Sequence, residues 1–271
     1  MKEEIKEYKW LIVENDQFVQ NITLNRPEVG NAMNEEMALE LIYLFQQTAK
    51  NKSINAIILR GAGKHFSAGG DLKDMQENIE ITDSQKEDPL YRINRRFGHL
   101  LTLVDKMPQV VISVVNGAAR GGGLGLVCVS DLVIGTKISS FAMPETGFGL
   151  PGAQIIPFVC QRLGKPIARQ LITTGEVING TKAHEIGLVT HLSLDINSAE
   201  EALKQLLEEI KKRSPSAIMQ SKELIDKVGK QPLSVILDDG AKIVAEMSRK
   251  GDGYEGLNAF LEKRKPKWVH R

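Results

Sequence analysis

KHFSAGGD, at residues 64–71, and VNGAARGGGLG, at residues 115–125, are two glycine-rich segments. Each follows a short apolar run rich in β-branched residues, INAIILRG at 54–61 and VVISVV at 110–115. Runs without polar alternation are typical of buried strands, so each turn is expected to leave a strand end. Glycine lets a backbone N–H approach a ligand closely, so the two turns could aim two donors at one oxygen, as in an oxyanion hole. For each turn alone, the commoner role of such glycines is a bend or tight helix–strand packing.

FAMPETGFGLPGAQIIPF, at residues 141–158, contains one charged side chain, Glu145, the only one between Lys137 and Arg162. If Glu145 is buried, desolvation disfavours its ionised form and raises its pKa toward neutrality, which suits a group that both takes and returns a proton. The alternative is an exposed loop glutamate. The local sequence favours neither interpretation strongly enough to exclude the other.

Seven segments together resemble the crotonase, or enoyl-CoA hydratase/isomerase, superfamily in order and spacing over nearly the whole chain. They are LNRPEVGNAMN (24–34), HFSAGGDL (65–72), NGAARGGGLGLVCVSD (116–131), MPETGFGLP (143–151), TGEVINGTKAHEIGLV (174–189), SPSAIMQSKELI (214–225) and EGLNAFLEKRKPKW (255–268). The resemblance implies an α/β fold, a spiral of ββα units with a C-terminal helical subdomain. It also implies that these helices cover the site and build trimers that pair into hexamers.

The resemblance assigns the oxyanion donors to the backbone N–H groups of Gly70 and Gly122, and proton transfer to Glu145. The donors would hold the thioester carbonyl as it becomes an enolate, and losing one such donor typically costs about 10²–10³ in rate. The helix after the glycine triplet would add a favourable dipole. The implied substrate and CoA site comprises Arg26, Ala32, Ala68, Gly69, Asp71, Leu72, Lys73, Gly121, Gly125, Pro144, Phe260 and Lys263, the last two reaching a neighbouring subunit's CoA.

Gly125 departs from the best-known pattern, because hydratases that use two glutamates carry the second one at this position. A single acid suffices to move a proton between neighbouring carbons, which favours Δ3,Δ2-isomerisation. GLGLVCVSD and PETGFGLPGAQIIPFV instead resemble a branch of hydratases for branched glutaconyl-type thioesters, the isohexenylglutaconyl-CoA hydratase-like branch. We therefore expect hydration of a 2-enoyl-CoA, with isomerisation as the alternative. A non-enzymatic superfamily member and other enolate chemistries, such as thioester hydrolysis, also stay open.

Bulk properties agree with this expectation. The 271 residues can bury a sizeable core, and a net charge of +1 gives no reason to expect a nucleic-acid partner. Cys128 and Cys160 lack metal-type spacing and read as reduced thiols, and neither a membrane span nor a signal peptide is indicated. We expect a cytoplasmic homotrimer or dimer of trimers that binds an acyl-CoA substrate and needs no metal or separate cofactor.

The chain divides by pattern into residues 1–196, the spiral core with the CoA and thioester site, and residues 197–271, a helical oligomerisation subdomain. The polar stretch 80–88 predicts a mobile loop, and residues 91–104 predict an amphipathic helix. Arg92, Arg95 and Arg96 share one face of that helix. The resemblance places this region beside the acyl pocket, so one guanidinium could pair with a second substrate carboxylate. A solvated basic face is the other interpretation.

Overall fold

The computed structural model describes residues 8–79 and 88–270. Its strands are β1 (Leu11–Asp16), β2 (Val19–Leu24), β3 (Ala56–Gly61), β4 (Val110–Val115), β5 (Ala118–Arg120), β6 (Leu132–Thr136), β7 (Ser140–Ala142), β8 (Ile178–Asn179) and β9 (His191–Ser193). Its α-helices are α1 (Glu35–Thr48), α2 (Leu72–Glu77), α3 (Pro89–Asp105), α4 (Gly122–Cys128), α5 (Ile156–Thr174), α6 (Gly180–Glu185), α7 (Ile196–Lys211), α8 (Pro215–Lys227), α9 (Leu233–Arg249) and α10 (Asp252–Leu261). The mixed α/β architecture is the one expected from the sequence.

The main sheet has the order β1-β2-β3-β4-β6-β9, in which β1 and β2 are antiparallel and the remaining neighbours are parallel. Alternate residues of β3 face opposite layers because successive side chains of a strand point to opposite faces. Ile57 and Leu59 join the core that contains α1 and α3, whereas Ile58 joins the core that contains α7. Burial on both faces explains why β3 and β4 are continuous apolar runs.

A smaller sheet, β5-β7-β8, carries part of the second glycine segment in β5. β5 separates β4 from the glycine triplet, so this turn leaves a short strand of its own and not β4 directly. β5 pairs with β7 in parallel, and β7 leads within three residues to Glu145. The small sheet therefore brings the triplet and the acid to the same end of the molecule.

Helix boundaries follow the sequence signals closely. The Asn34 side chain caps α1, and Asp88 caps α3, in which Pro89 is the first residue. Residues 80–87 of the predicted mobile loop lie outside the described residues. Helices α7 to α10 follow β9, but α7 packs against the main sheet, and the division at residue 196 stays a prediction. No α-helix in the described part of the chain has the length and apolar character needed to cross a bilayer.

Two leucines of α1 test the packing of this helix on the sheet. Leu41 is 0% exposed, so Leu41→Ala should lower the free energy of unfolding by about 2–5 kcal/mol through the cavity it leaves. Leu39 is 43% exposed, and Leu39→Ala should cost less than about 1 kcal/mol. Urea denaturation of both variants beside the parent measures the difference. Equal losses would contradict the placement of α1.

Candidate active site

Asn31 joins the loop after β2 to the first glycine segment. It is 0% exposed and has a left-handed backbone, with φ +57°. Its side-chain carbonyl accepts from the N–H of Arg26 at 2.9 Å, and its amide donates to the carbonyls of Ala62 at 2.8 Å and His65 at 2.7 Å. Its own carbonyl accepts from the Ser67 hydroxyl at 2.8 Å. These bonds satisfy a buried polar side chain and fix the course of both loops.

The two glycine segments are held together by backbone hydrogen bonds. The N–H of Ser67 donates to the carbonyl of Ala118 at 3.0 Å, and the N–H of Arg120 donates to the carbonyl of Ser67 at 2.9 Å. Gly69 has φ +100°, and a Cβ on it would lie 2.9 Å from the carbonyl oxygen of Arg120. Position 69 therefore requires glycine for both its conformation and its close approach.

Gly70 and Gly122 each present a backbone N–H at this junction. The N–H of Met33 donates to the carbonyl of Gly69, and the N–H of Asp71 donates to the carbonyl of Met33. This pairing leaves the N–H of Gly70 turned away from the Met33 strand. Gly122 is the first residue of α4, where N–H groups have no partner within the helix. Within residues 8–79 and 88–270 neither N–H donates to a protein acceptor.

Glu145 begins a 3-10 helix, Glu145–Phe148, and its carboxyl lies against the second glycine segment. A Cβ on Gly121 would lie 2.7 Å from Glu145 Oε1, so glycine at position 121 leaves room for the acid. Glu145 Oε2 is buried and has no hydrogen-bond partner among the described residues. Burial raises the pKa of Glu145, opposed only weakly by its own backbone. The expected perturbed acid is therefore present.

Gly70, Gly122 and Glu145 line one cavity of about 580 Å³. Phe97 and Met33 approach the Cα of Gly122, since a Cβ there would lie 2.9 Å and 3.0 Å from their side chains. Further apolar lining comes from Leu72, Met75, Leu90, Ile93, Phe148, Leu150 and Ile155. A mostly apolar cavity with two free donors and one acid can hold an acyl chain and polarise its carbonyl.

Most of the residues expected at the site line this cavity. They are Ala32, Ala68, Gly69, Gly70, Asp71, Leu72, Gly121, Gly122, Pro144 and Glu145. Lys73 does not line it, and Phe260 and Lys263 are exposed on or after α10. Their expected roles toward CoA stay predictions.

Arg26, expected in the substrate and CoA site, does not line the cavity and binds Asp71, and its role toward CoA stays a prediction. The two side chains form an ion pair at 2.8 Å, and Arg26 also donates to the carbonyl of Ala32 at 2.7 Å. Burial opposes ionisation of Asp71, but the hydrogen bonds from Arg26 and from the N–H groups of Lys73 and Asp74 lower its pKa. The pair braces the start of α2, which Asp71 caps.

Gly125 does not reach the cavity. It is buried in α4, where a Cβ would lie 2.7 Å from Ile155 Cγ2 and 3.1 Å from Leu101 Cδ1. A glutamate at this position would have to displace two buried apolar side chains. The packing around α4 therefore leaves no space for a second acid at position 125.

The arginines of α3 have partners that the sequence pattern did not reveal. Arg96 and Arg92 both contact Glu35 Oε1, Arg92 at 3.4 Å, whereas Arg95 donates to Gln154 Oε1 at 2.6 Å. Arg96, Glu35 and Gln154 line the cavity. Their sequence signal is weak because each depends on a partner far away in the chain.

Two free donors beside a half-buried acid, whose Oε2 has no partner among the described residues, form a site suited to stabilising an oxyanion while a proton is moved. Comparison with known proteins assigns the chain more narrowly. A family model for enoyl-CoA hydratase/isomerase matches residues 14–271, and the chain belongs to this family.

Relatives agree in fold and in length. The crystal structure of an enoyl-CoA hydratase/isomerase from Marinobacter aquaeolei is 41% identical in sequence and superimposes with a TM-score of 0.92. The match covers 96% of this chain and 99% of the Marinobacter chain. Pseudomonas aeruginosa AtuE is 38% identical, with a TM-score of 0.92, covering 96% of this chain and 100% of its own. The 2,3-dehydroadipyl-CoA hydratase of Escherichia coli is 29% identical over 96% of this chain and 99% of its own length.

Stability should depend on the protonation of Glu145. Because its pKa is raised by folding, the parent is favoured while the carboxyl is protonated and loses this stability as pH rises through the folded-state pKa. Glu145→Gln does not titrate, so its Tm should gain on the parent's as pH rises from about 4, near the ordinary pKa of a glutamate, through the raised folded-state pKa. Glu208→Gln, at an exposed position on α7, is the matched control. A gap in Tm that does not change with pH would contradict the burial of Glu145.

Proposed function

We propose that the protein adds water to the double bond of a 2-enoyl-CoA thioester. The observation that carries this proposal is the Glu145 carboxyl lying against Gly121, beside the free N–H groups of Gly70 and Gly122. Donors preorganised in a dry site stabilise the charge that develops on a thioester oxygen. A carboxyl with a raised pKa can take a proton from water and return it to carbon.

Isomerisation is the second candidate, and the packing around Gly125 favours it. Ile155 and Leu101 occupy the space that a second acid would need, which leaves Glu145 as the proton-transfer group. Moving a proton from C2 to C4 of a 3-enoyl-CoA needs one such group. We rank hydration first because the sequence resembles a hydratase branch and relatives carry hydratase names. A non-enzymatic role is disfavoured because Glu145 and both glycine segments are retained.

The arginine cluster of α3 supports an acyl-CoA that carries a second carboxylate. Arg96 lines the cavity and shares the single carboxylate of Glu35 with Arg92, so two guanidiniums meet one carboxylate beside the cavity. Within the described residues no other acid pairs with these arginines. The name of the Escherichia coli relative, a 2,3-dehydroadipyl-CoA hydratase, denotes a substrate of this kind.

We also propose that the enzyme is a cytoplasmic homotrimer or dimer of trimers, in which the C-terminal helices meet neighbouring copies. Large apolar side chains on these helices are exposed in the single chain. They include Leu233 at 71%, Phe260 at 81% and Leu261 at 76%. Exposed apolar surface of this extent is typical of an interface. Phe260 and Lys263 would then reach the CoA of a neighbouring copy.

The decisive experiment incubates the protein with a panel of 2-enoyl-CoA and 3-enoyl-CoA thioesters and follows the products by mass spectrometry. Hydration raises the product mass by one water, whereas isomerisation leaves the mass unchanged. Water addition to a 2-enoyl-CoA supports the first candidate. Conversion of 3-enoyl to 2-enoyl thioesters without any hydration would replace it by the second.

Glu145→Gln should lower kcat by about 100- to 10,000-fold, because the amide keeps the shape but loses the transferable proton. Binding of the CoA ester, measured by isothermal titration calorimetry, should remain within about threefold of the parent, since the carboxyl mainly serves the transition state. Glu208→Gln controls for removal of an acid elsewhere. Turnover near the parental rate would refute the role of Glu145.

Arg96→Met should reduce the preference for an enoyl-CoA with a distal carboxylate by about 10- to 100-fold in kcat/KM, as expected for loss of a charge-assisted hydrogen bond. Turnover of crotonyl-CoA, which is neutral at the tail, should change little. Arg169→Met, at an exposed position on α5, is the control. Equal turnover of charged and neutral thioesters by the parent would reject the diacid substrate.

A further inference from the structure

Hydration requires that a water molecule be held against the β-carbon as well as deprotonated. The acids that line the cavity besides Glu145 are already engaged. Glu35 binds Arg92 and Arg96, Asp71 binds Arg26, and Asp74 accepts from the N–H of Glu35 at 2.9 Å. Besides Arg120, whose Nη2 donates to the Ser140 hydroxyl at 3.0 Å, the remaining polar side chains of the cavity are neutral amides that could hold the water.

Three amide side chains line the cavity, and they differ in what they can offer. Asn34 is committed to capping α1, where its oxygen accepts from the N–H of Met37. Asn94 is exposed on α3. Gln154 is partly buried in the 3-10 helix Ala153–Ile155, which follows Glu145 in the same cavity-lining segment. Gln154 is the amide best placed to face a bound acyl group.

Arg95 fixes the orientation of the Gln154 amide. A guanidinium only donates hydrogen bonds, so the atom that meets Arg95 Nη1 at 2.6 Å must be the carbonyl oxygen, Oε1. The NH₂ group is then directed away from Arg95. Within residues 8–79 and 88–270 this nitrogen has no protein partner. The Gln154 NH₂ group is thus an oriented hydrogen-bond donor without an acceptor among the described residues.

Two residues beside Gln154 have locally unfavourable backbone features that help to hold its side chain in place. Gly98 lies inside the long helix α3, and Gln154 Oε1 occupies the place where a Cβ on Gly98 would be. Glycine destabilises a helix interior relative to alanine. Ala153 has φ +34°, a conformation that residues other than glycine rarely adopt. Strain of this kind persists where the surrounding structure enforces it and is concentrated at functional sites.

We infer that Gln154 holds the attacking water through its NH₂ group, an inference that rests on the proposed hydration. The water oxygen bonds to C3, and the π electrons of the C2–C3 bond move toward the thioester oxygen at Gly70 and Gly122. The proton released by the water passes to the Glu145 carboxylate. Glu145 then returns it to C2 as the carbonyl re-forms, so one water is added across the double bond. Arg95 and Gly98 are positioning residues for Gln154.

Two reactions of the same enzyme separate this role from general damage. The first is water addition to crotonyl-CoA. The second is exchange of the α-hydrogens of butyryl-CoA in D₂O, which needs Glu145 and the oxyanion donors but no attacking water. Gln154→Leu should slow hydration by about 10- to 100-fold, the loss expected for one hydrogen bond in the transition state, and leave exchange within about threefold. Gln170→Leu, at an exposed position on α5, is the control.

Gly98→Ala provides an independent test, because the new methyl group displaces the end of the Gln154 side chain without removing it. This variant should melt at a higher temperature than the parent, yet hydrate more slowly and exchange normally. In a Gln154→Leu background the same change should have no further effect on hydration, since the two act through one group. Additive losses in the double variant would overturn the inference.

The remaining outcomes are unambiguous. Hydration by Gln154→Leu at the parental rate overturns the role of Gln154 and leaves the proposed hydration intact. Parallel losses of hydration and exchange overturn it as well, because they indicate damage to the whole site. A parent that exchanges α-hydrogens but hydrates no thioester of the panel refutes hydration itself, and with it the water-binding role.

Discussion

The site depends on the close approach of two backbone segments, residues 67–70 and 118–122. Hydrogen bonds between Ser67 and its neighbours in the second segment fix their spacing, and a Cβ at Gly69 would collide with the carbonyl of Arg120. Asn31 holds the first segment from the other side through bonds to Ala62 and His65. The free N–H groups, the position of the Glu145 carboxyl and the wall of the cavity all depend on this junction. The strands β4, β5 and β7 lead the chain into it.

Several local conformational costs lie at the cavity. Gly69 and Gly121 have positive φ angles, Ala153 adopts a left-handed backbone, and Glu145 buries an oxygen that has no partner in the described residues. Elsewhere in the described chain the buried polar side chains mostly find partners, as Ser113 and Ser130 do with each other at 2.8 Å. A fold with a large satisfied core can carry such costs, because its net stability is a small difference between large opposing contributions. The costs at the cavity are of the kind that a folded protein retains at a functional site.

Local sequence patterns were sufficient for much of the fold. The runs at 54–61 and 110–115 predicted the strands β3 and β4. Glu145 stood out because its flanks lack charge, although its role and those of Gly70 and Gly122 came from the family resemblance. Gln154 and the pairing of the α3 arginines could not be predicted, since the Arg95–Gln154 contact joins residues 59 positions apart. Such contacts depend on how the spiral closes, which no local pattern encodes.

The packing of α4 constrains how this enzyme can diverge. Ile155 and Leu101 fill the space beside Gly125, so a glutamate could enter there only after one of them had become smaller. That first change would leave an internal void and lower stability before any acid could be used. Gly125→Glu alone would therefore be disfavoured, and a smaller residue at position 155 or 101 would have to come first. This dependence of one substitution on another is epistasis. With this core, the packing around Gly125 leaves no room for a second carboxylate in the same helix that presents the Gly122 N–H to the cavity.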